Sequence, residues 1–113
     1  MHEMSLAEGV LQLIEDAARR DRFNRVSTVW LEIGRLSAVE PEALAFCFDA
    51  VTRGTVADGA RLEIITLPGQ GWCKACSQTV PITEVFDPCP VCGTCPVVVT
   101  AGTEMRVKEL EVS

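Results

Sequence analysis

The sequence predicts an α+β fold, a small sheet flanked by two helices, with a cysteine-rich module inserted ahead of the last strand. Three observations lead there. A helical period at the start gives way to strict alternation at residues 26–34. Five of the six cysteines crowd into a stretch that opens with "LPGQG". Alternating residues then return at 103–112.

Residues 5 to 20 place Ala7, Val10, Leu11, Ile14, Ala17 and Ala18 on one helical face. Ser5 and Glu8 make an S-x-x-E capping box, so the helix is expected to begin after residue 5, with Met1 to Met4 as a lead-in or loose end. "VSTVWLEIG" (26 to 34) puts Val29, Leu31 and Ile33 on one side and Thr28, Trp30 and Glu32 on the other, as a half-buried strand does. Pro41 suits the first turn of a second helix, whose buried stripe is Leu44, Cys47, Phe48 and Val51 and whose end is Gly54. "ADG" turns the chain into a strand from about Arg61 to Leu67. "LPGQG" (67 to 71) reads as a hinge. The closing strand changes phase between Val107 and Leu110, which a bulge near Glu109 would explain, and it is expected to return to the first sheet. The domains expected are therefore 1–67 plus 101–113, and 68–100.

At 113 residues the chain suits one domain with a small appendage. Its net charge of −6 offers no basic field to nucleic acid, and the scarcity of aromatic rings removes stacking platforms for RNA. No apolar run reaches membrane-spanning length, and the first twenty residues lack the basic start of a signal peptide. The expected location is cytoplasmic. There, thiols stay reduced, so six cysteines argue for metal ligation or simple burial rather than disulfides.

"CKAC" (Cys73, Cys76) and "CPVCG" (Cys89, Cys92, Gly93) decide between these. Each pair lets a tight turn aim two thiolates at one cation, and two pairs complete a tetrahedron of soft ligands suited to Zn²⁺. "TVPITEVFD" between them has strand composition, so a zinc-ribbon-like hairpin follows. So small a module would draw its folding energy from the metal. A filled Cys₄ shell has no open position, which makes the zinc structural and not hydrolytic. Cys95 lies one Cys-x-x spacing beyond Cys92 and is assigned outside the shell, although exchange within Cys89, Cys92 and Cys95 stays open. Cys47 reads as a small core residue and Trp72 as a packing side chain.

The only histidine is His2. A large second residue generally stops amino-terminal processing, which leaves the Met1 amine free. That amine, the deprotonated His2 amide and the His2 imidazole can form fused rings around one ion. Ni²⁺ or Cu²⁺ gains most from strong in-plane nitrogen donors, and Zn²⁺ gains little. Glu3 adds an oxygen or its amide nitrogen, and Glu40, at the start of the second helix, could approach if the termini fold together. A plain surface histidine remains the other reading.

The opening "MHE", the block "VWLEIGRLSAVEPEALAFCFDAVTRGT", the Cys73/Cys76 and Cys89/Cys92 pairs and the terminal "ELEV" together resemble the HypA/HybF family of nickel metallochaperones. The resemblance implies a nickel domain carrying an inserted zinc domain. It implies Ni²⁺ held by the Met1 amine, His2 and Glu3, with the Glu40 position sometimes contributing, and Zn²⁺ as the structural metal. The implied recipient is the large subunit of a [NiFe]-hydrogenase during maturation. The implied partners are a HypB-type GTPase and, for some relatives, urease maturation proteins, with the chain a monomer or homodimer and not an enzyme. Cys95 departs from the pattern. Two rivals remain: a zinc-ribbon adaptor that binds protein without delivering metal, and a thiol enzyme, which has no histidine near Cys95 to serve it.

Overall fold

The computed structural model describes residues 3–93 and 97–113. The elements run α1 (Glu3–Asp21), β1 (Val26–Gly34), a 3₁₀ turn (Arg35–Ser37), α2 (Pro41–Val51), β2 (Arg61–Leu67), β3 (Gly69–Cys73), β4 (Gln78–Ile82), β5 (Val98–Ala101) and β6 (Met105–Val112). The fold is α+β, and the described strands form two sheets, ordered β2-β1-β6 and β4-β3-β5. Packing separates two units: Met1–Leu31, Val39–Ile64 and Val107–Ser113 make one, and Glu32–Ala38 with Ile65–Arg106 make the other.

In the first unit α1 packs against α2. Ala7, Val10 and Ile14 of α1 and Leu44 and Phe48 of α2 are buried, as are Val26, Val29 and Leu31 of β1. Each large aliphatic side chain so buried contributes roughly 1.5–3 kcal/mol against the entropy of ordering it. The helix stripes read from the sequence are therefore the faces that pack, with Leu11, Ala17, Ala18, Cys47 and Val51 half-buried at their margins. Helix α1 already includes Glu3, the first described residue, so Ser5 lies within it, exposed, and makes no capping bond among the described residues. The Glu3 carboxylate makes a tertiary contact, accepting from the Glu40 backbone N–H at 3.1 Å. Helix α2 also ends before Gly54. Thr52 turns back on it, its N–H and Oγ1 both bonding the Phe48 carbonyl at 3.1 and 2.8 Å, which satisfies an orphan helix carbonyl.

The last strand does pair beside β1. Its half-buried positions are Met105, Val107 and Leu110, so the change of phase falls where the sequence puts it. Near its end Glu111 Oε1 accepts from Ser27 Oγ at 2.9 Å and from the mostly buried Thr28 Oγ1 at 3.0 Å. These hydroxyls hold the Glu111 carboxyl below the usual glutamate range. A carboxylate with a lowered folded value stabilises fully above its unfolded value, about 4.3, and that contribution fades as pH falls through the lowered folded value. Glu111→Gln is therefore expected to flatten the acid limb of the stability profile, read as denaturant midpoints between about pH 6 and pH 3. An unchanged slope would count against the contact.

In the second unit "LPGQG" is not a loop. Gly69 and Gly71 are buried in the central strand β3, where Gly69 faces Ile82, Gly71 faces Val80 and Cys73 faces Gln78 in antiparallel register. On its other edge β3 pairs with β5, Trp72 opposite Val98, with an irregularity at Gln70/Gly71. The glycines are there for space. A Cβ on Gly69 would stand 2.5 Å from the Ile82 carbonyl oxygen, and one on Gly71 would stand 2.7 Å from Val97 Cγ2. Strand β5 was not foreseen, and "TVPITEVFD" is a strand only to Ile82. From there Asp87 Oδ2 gathers the Thr83 and Glu84 N–H groups and the Thr83 hydroxyl into a turn. Pro81, which lacks an N–H, sits on β4 at the edge of the sheet, where the ladder loses least.

Candidate metal centre

Strand β3 delivers Cys73, 1% exposed, to the end of the second sheet, and the chain then doubles back. The Ser77 N–H closes the turn on the Cys73 carbonyl at 2.8 Å, with Ser77 itself at φ +53°. The Cys76 N–H points at Cys73 Sγ, 3.4 Å away, so the backbone donates to a sulfur at the first knuckle. At the second knuckle the Gly93 N–H bonds the Cys89 carbonyl at 2.8 Å, and Gly93 takes φ +74°, the left-handed region that a Cβ disfavours. The glycine after "CPVC" thus shapes the turn.

The two knuckles bring Cys73, Cys76, Cys89 and Cys92 together, all four sulfurs lying within 4.8 Å of one another. Across the pairs, Cys73 Sγ is 3.6 Å from Cys92 Sγ and Cys76 Sγ is 3.9 Å from Cys89 Sγ. A tetrahedral Zn²⁺ with Zn–S bonds of about 2.3 Å requires sulfurs about 3.8 Å apart. Disulfide bonding needs about 2.05 Å, and the described cysteines are free thiols. Donor type, number and spacing are therefore consistent with structural zinc. Cys73 and Cys89 also belong to the core of this unit with Leu36, Val80, Ile82 and Val97. Crowding has an electrostatic cost. The Cys92 side chain, then lost solvation, pushes the Cys76 thiol up to about 12, because neighbouring sulfurs cannot all ionise without a cation between them.

Of the other predicted donors, Met1 and His2 lie outside the described residues, and so does Cys95. Glu3 and Glu40 are brought together at the starts of the two helices. Glu3 Oε2 takes the Glu40 N–H, and Glu40 Oε1 in turn accepts from the Glu42 N–H at 3.4 Å as the cap of α2. The Glu40 N–H is the main reason that the Glu3 carboxyl is lowered to about 2, so it is an anion at any physiological pH. Cys47 is half-buried on α2, and Trp72 is 39% exposed on the outer face of β3 rather than packed. Spacing could not reveal that Gly69, Gly71 and Cys73 share one strand face, although their alternation with Gln70 and Trp72 carries that signal.

A family model described as "Hydrogenase/urease nickel incorporation, metallochaperone, hypA" matches residues 1–112. Among curated relatives, the hydrogenase maturation factor HypA of Albidiferax ferrireducens is 74% identical over 112 residues, covering 99% of both chains. That of Dechloromonas aromatica is 65% identical over the same length and coverage. A solution structure titled as the Ni metallochaperone HypA from Helicobacter pylori superposes with a TM-score of 0.72 at 27% identity, covering 99% of this chain and 97% of its own. With the family model spanning nearly every residue and the four-cysteine cluster in place, the chain belongs to the HypA family of hydrogenase/urease nickel-incorporation metallochaperones.

Proposed function

We propose that this chain carries Ni²⁺ as cargo at its amino-terminal tip and hands it to the large subunit of a [NiFe]-hydrogenase during maturation. The ligands are the Met1 amine, the His2 amide and imidazole nitrogens and Glu3, with Glu40 able to contribute. Cys73, Cys76, Cys89 and Cys92 hold Zn²⁺ as a fixed structural ion. The nickel part comprises 1–67 plus 101–113 and the zinc part 68–100. Delivery proceeds with a HypB-type GTPase in the cytoplasm, and the chain carries metal without catalysing a reaction.

The observation that carries this reading is the 3.1 Å contact between the Glu3 carboxylate and the Glu40 N–H. It ties the beginning of α1 to the beginning of α2 and leaves an anionic group one residue from His2. Nitrogen donors in one plane beside such a carboxylate favour Ni²⁺ over Zn²⁺, and a shallow site at a chain end releases its ion more readily than a closed cage. Among the described residues no helix is long and apolar enough to cross a membrane, in keeping with a carrier that diffuses between partners.

Nickel titration with metal analysis tests the reading. The wild-type chain is expected to take up stoichiometric Ni²⁺. His2→Ala, and separately a short extension ahead of Met1, are each expected to abolish that uptake while zinc content stays unchanged. An adaptor that delivers no metal predicts no effect of either change.

A further inference from the structure

Two surface concavities of the second unit, of about 430 and 400 Å³, share Arg35 and Thr83 in their walls. They are the two lobes of one groove. Leu36, Ala38 and Val85 line the first lobe, and Pro68, Pro81 and Ile82 line the second. The second lobe is mainly apolar, the first is mixed, with Thr83 and Glu84 in its wall, and Arg35 lines both.

Arg35 is fixed in place. It opens the 3₁₀ turn between Gly34 and Leu36, where the Leu36 N–H bonds the Gly102 carbonyl at 2.7 Å and Ser37 Oγ bonds the Gly34 carbonyl at 2.7 Å. Leu36 is anchored in the core, which leaves the neighbouring Arg35 exposed. Arg19, Arg20, Arg53, Arg61 and Arg106 have carboxylate partners, whereas among the described residues the Arg35 side chain, like those of Arg22 and Arg25, has neither an ion pair nor a hydrogen bond. An exposed guanidinium beside aliphatic side chains complements a carboxylate flanked by aliphatic groups.

We infer that this groove binds an extended peptide segment of a partner protein, with one Asp or Glu carboxylate on Arg35 and an aliphatic side chain in each lobe. Glu84 in the first lobe disfavours a polyanion and limits the segment to a single acid there. Recognition comes from side chains rather than strand addition. Pro81 offers no N–H on the edge strand, and the Thr83 N–H is already given to Asp87. Nothing in the inference requires bound nickel.

The test is an amide-shift titration of the full zinc-loaded chain with acetyl-Leu-Ser-Glu-Ser-Leu-amide, whose alternate residues put both leucines and the glutamate on one face when extended. Shifts are expected at Arg35, Ala38, Thr66 and Thr83. Replacing the peptide's glutamate with glutamine should weaken binding about fivefold or more, the range of a partly exposed charge-assisted pair. Arg35→Gln should erase that preference with zinc content unchanged, and Val85→Ser should weaken both peptides alike. Shifts confined to other residues, equal binding of both peptides, or a preference that survives in Arg35→Gln would overturn the inference. Groove shifts on dilution of the chain alone would also overturn it, by identifying a second copy as the occupant.

Discussion

Cys73→Ser is expected to cost the protein its zinc and, with it, the order of the β4-β3-β5 sheet. The core of that unit consists of Leu36, Cys73, Val80, Ile82, Cys89 and Val97, so two of its six members are metal donors. So few buried aliphatic side chains cannot by themselves offset the entropy of ordering the unit, and the energy of binding the ion becomes folding energy. Serine keeps the size of the side chain and removes the thiolate, which leaves three soft donors and an open position. The expected readouts are less than one zinc per chain by metal analysis and loss of slow amide exchange at Val80 and Ile82. Cys47→Ser is the control, because Cys47 belongs to the other unit and is expected to keep zinc at one equivalent. A Cys73→Ser protein that loses zinc yet keeps protected amides at Val80 and Ile82 would mean that the sheet stands on packing alone, and one that keeps full zinc would remove Cys73 from the shell.

What made the centre legible in the sequence was its locality. A Cys-x-x-Cys knuckle is decided within four residues, and two of them fix donor type and number before any tertiary structure exists. Strands β1 and β2 were legible for a similar reason, their alternation or β-branched composition being complete within nine and seven residues. Misread features depended on distant neighbours. Ser5 and Glu8 satisfy a local capping pattern, yet α1 already includes Glu3, whose carboxylate takes an N–H thirty-seven positions away. "LPGQG" has the composition of a hinge, yet Gly69 and Gly71 are strand residues chosen for lack of a side chain beside Ile82 and Val97. Arg35 carries no pattern at all. Its exposure follows from the burial of Leu36, and the groove around it is assembled from segments thirty to fifty residues apart. The proposed nickel donors Met1 and His2 lie outside the described residues, and chelate chemistry and the family carry that assignment.

A close approach of backbone to backbone in the second unit gives the other large effect. A Cβ on Gly34 would stand 2.1 Å from both the carbonyl carbon and the oxygen of Gly102, and 2.6 Å from the Thr103 nitrogen. None of these is the end of a flexible side chain that could rotate away. The segments are held against each other on both sides of the contact, by the Gly34 N–H on the Glu104 carbonyl at 2.6 Å and the Leu36 N–H on the Gly102 carbonyl at 2.7 Å. Gly102 cannot swing clear, because it takes φ +106° and its own Cβ position is 2.6 Å from Gly69 Cα. Relieving the clash means breaking at least one of those hydrogen bonds and displacing β3 as well. Gly34→Ala is therefore expected to destabilise the chain by about 3 kcal/mol or more, well above the usual cost of a single methyl. Gly9→Ala supplies the contrast, since nothing lies within 4 Å of that Cβ position in mid-helix. There the same methyl should stabilise α1 by up to about 1 kcal/mol through helix propensity. Denaturant midpoints for the two variants, read against the wild type, should move in opposite directions. A Gly34→Ala midpoint that matches or exceeds the wild type would show that the 34/102 contact opens freely, and with it that the turn holding Arg35 is not rigid.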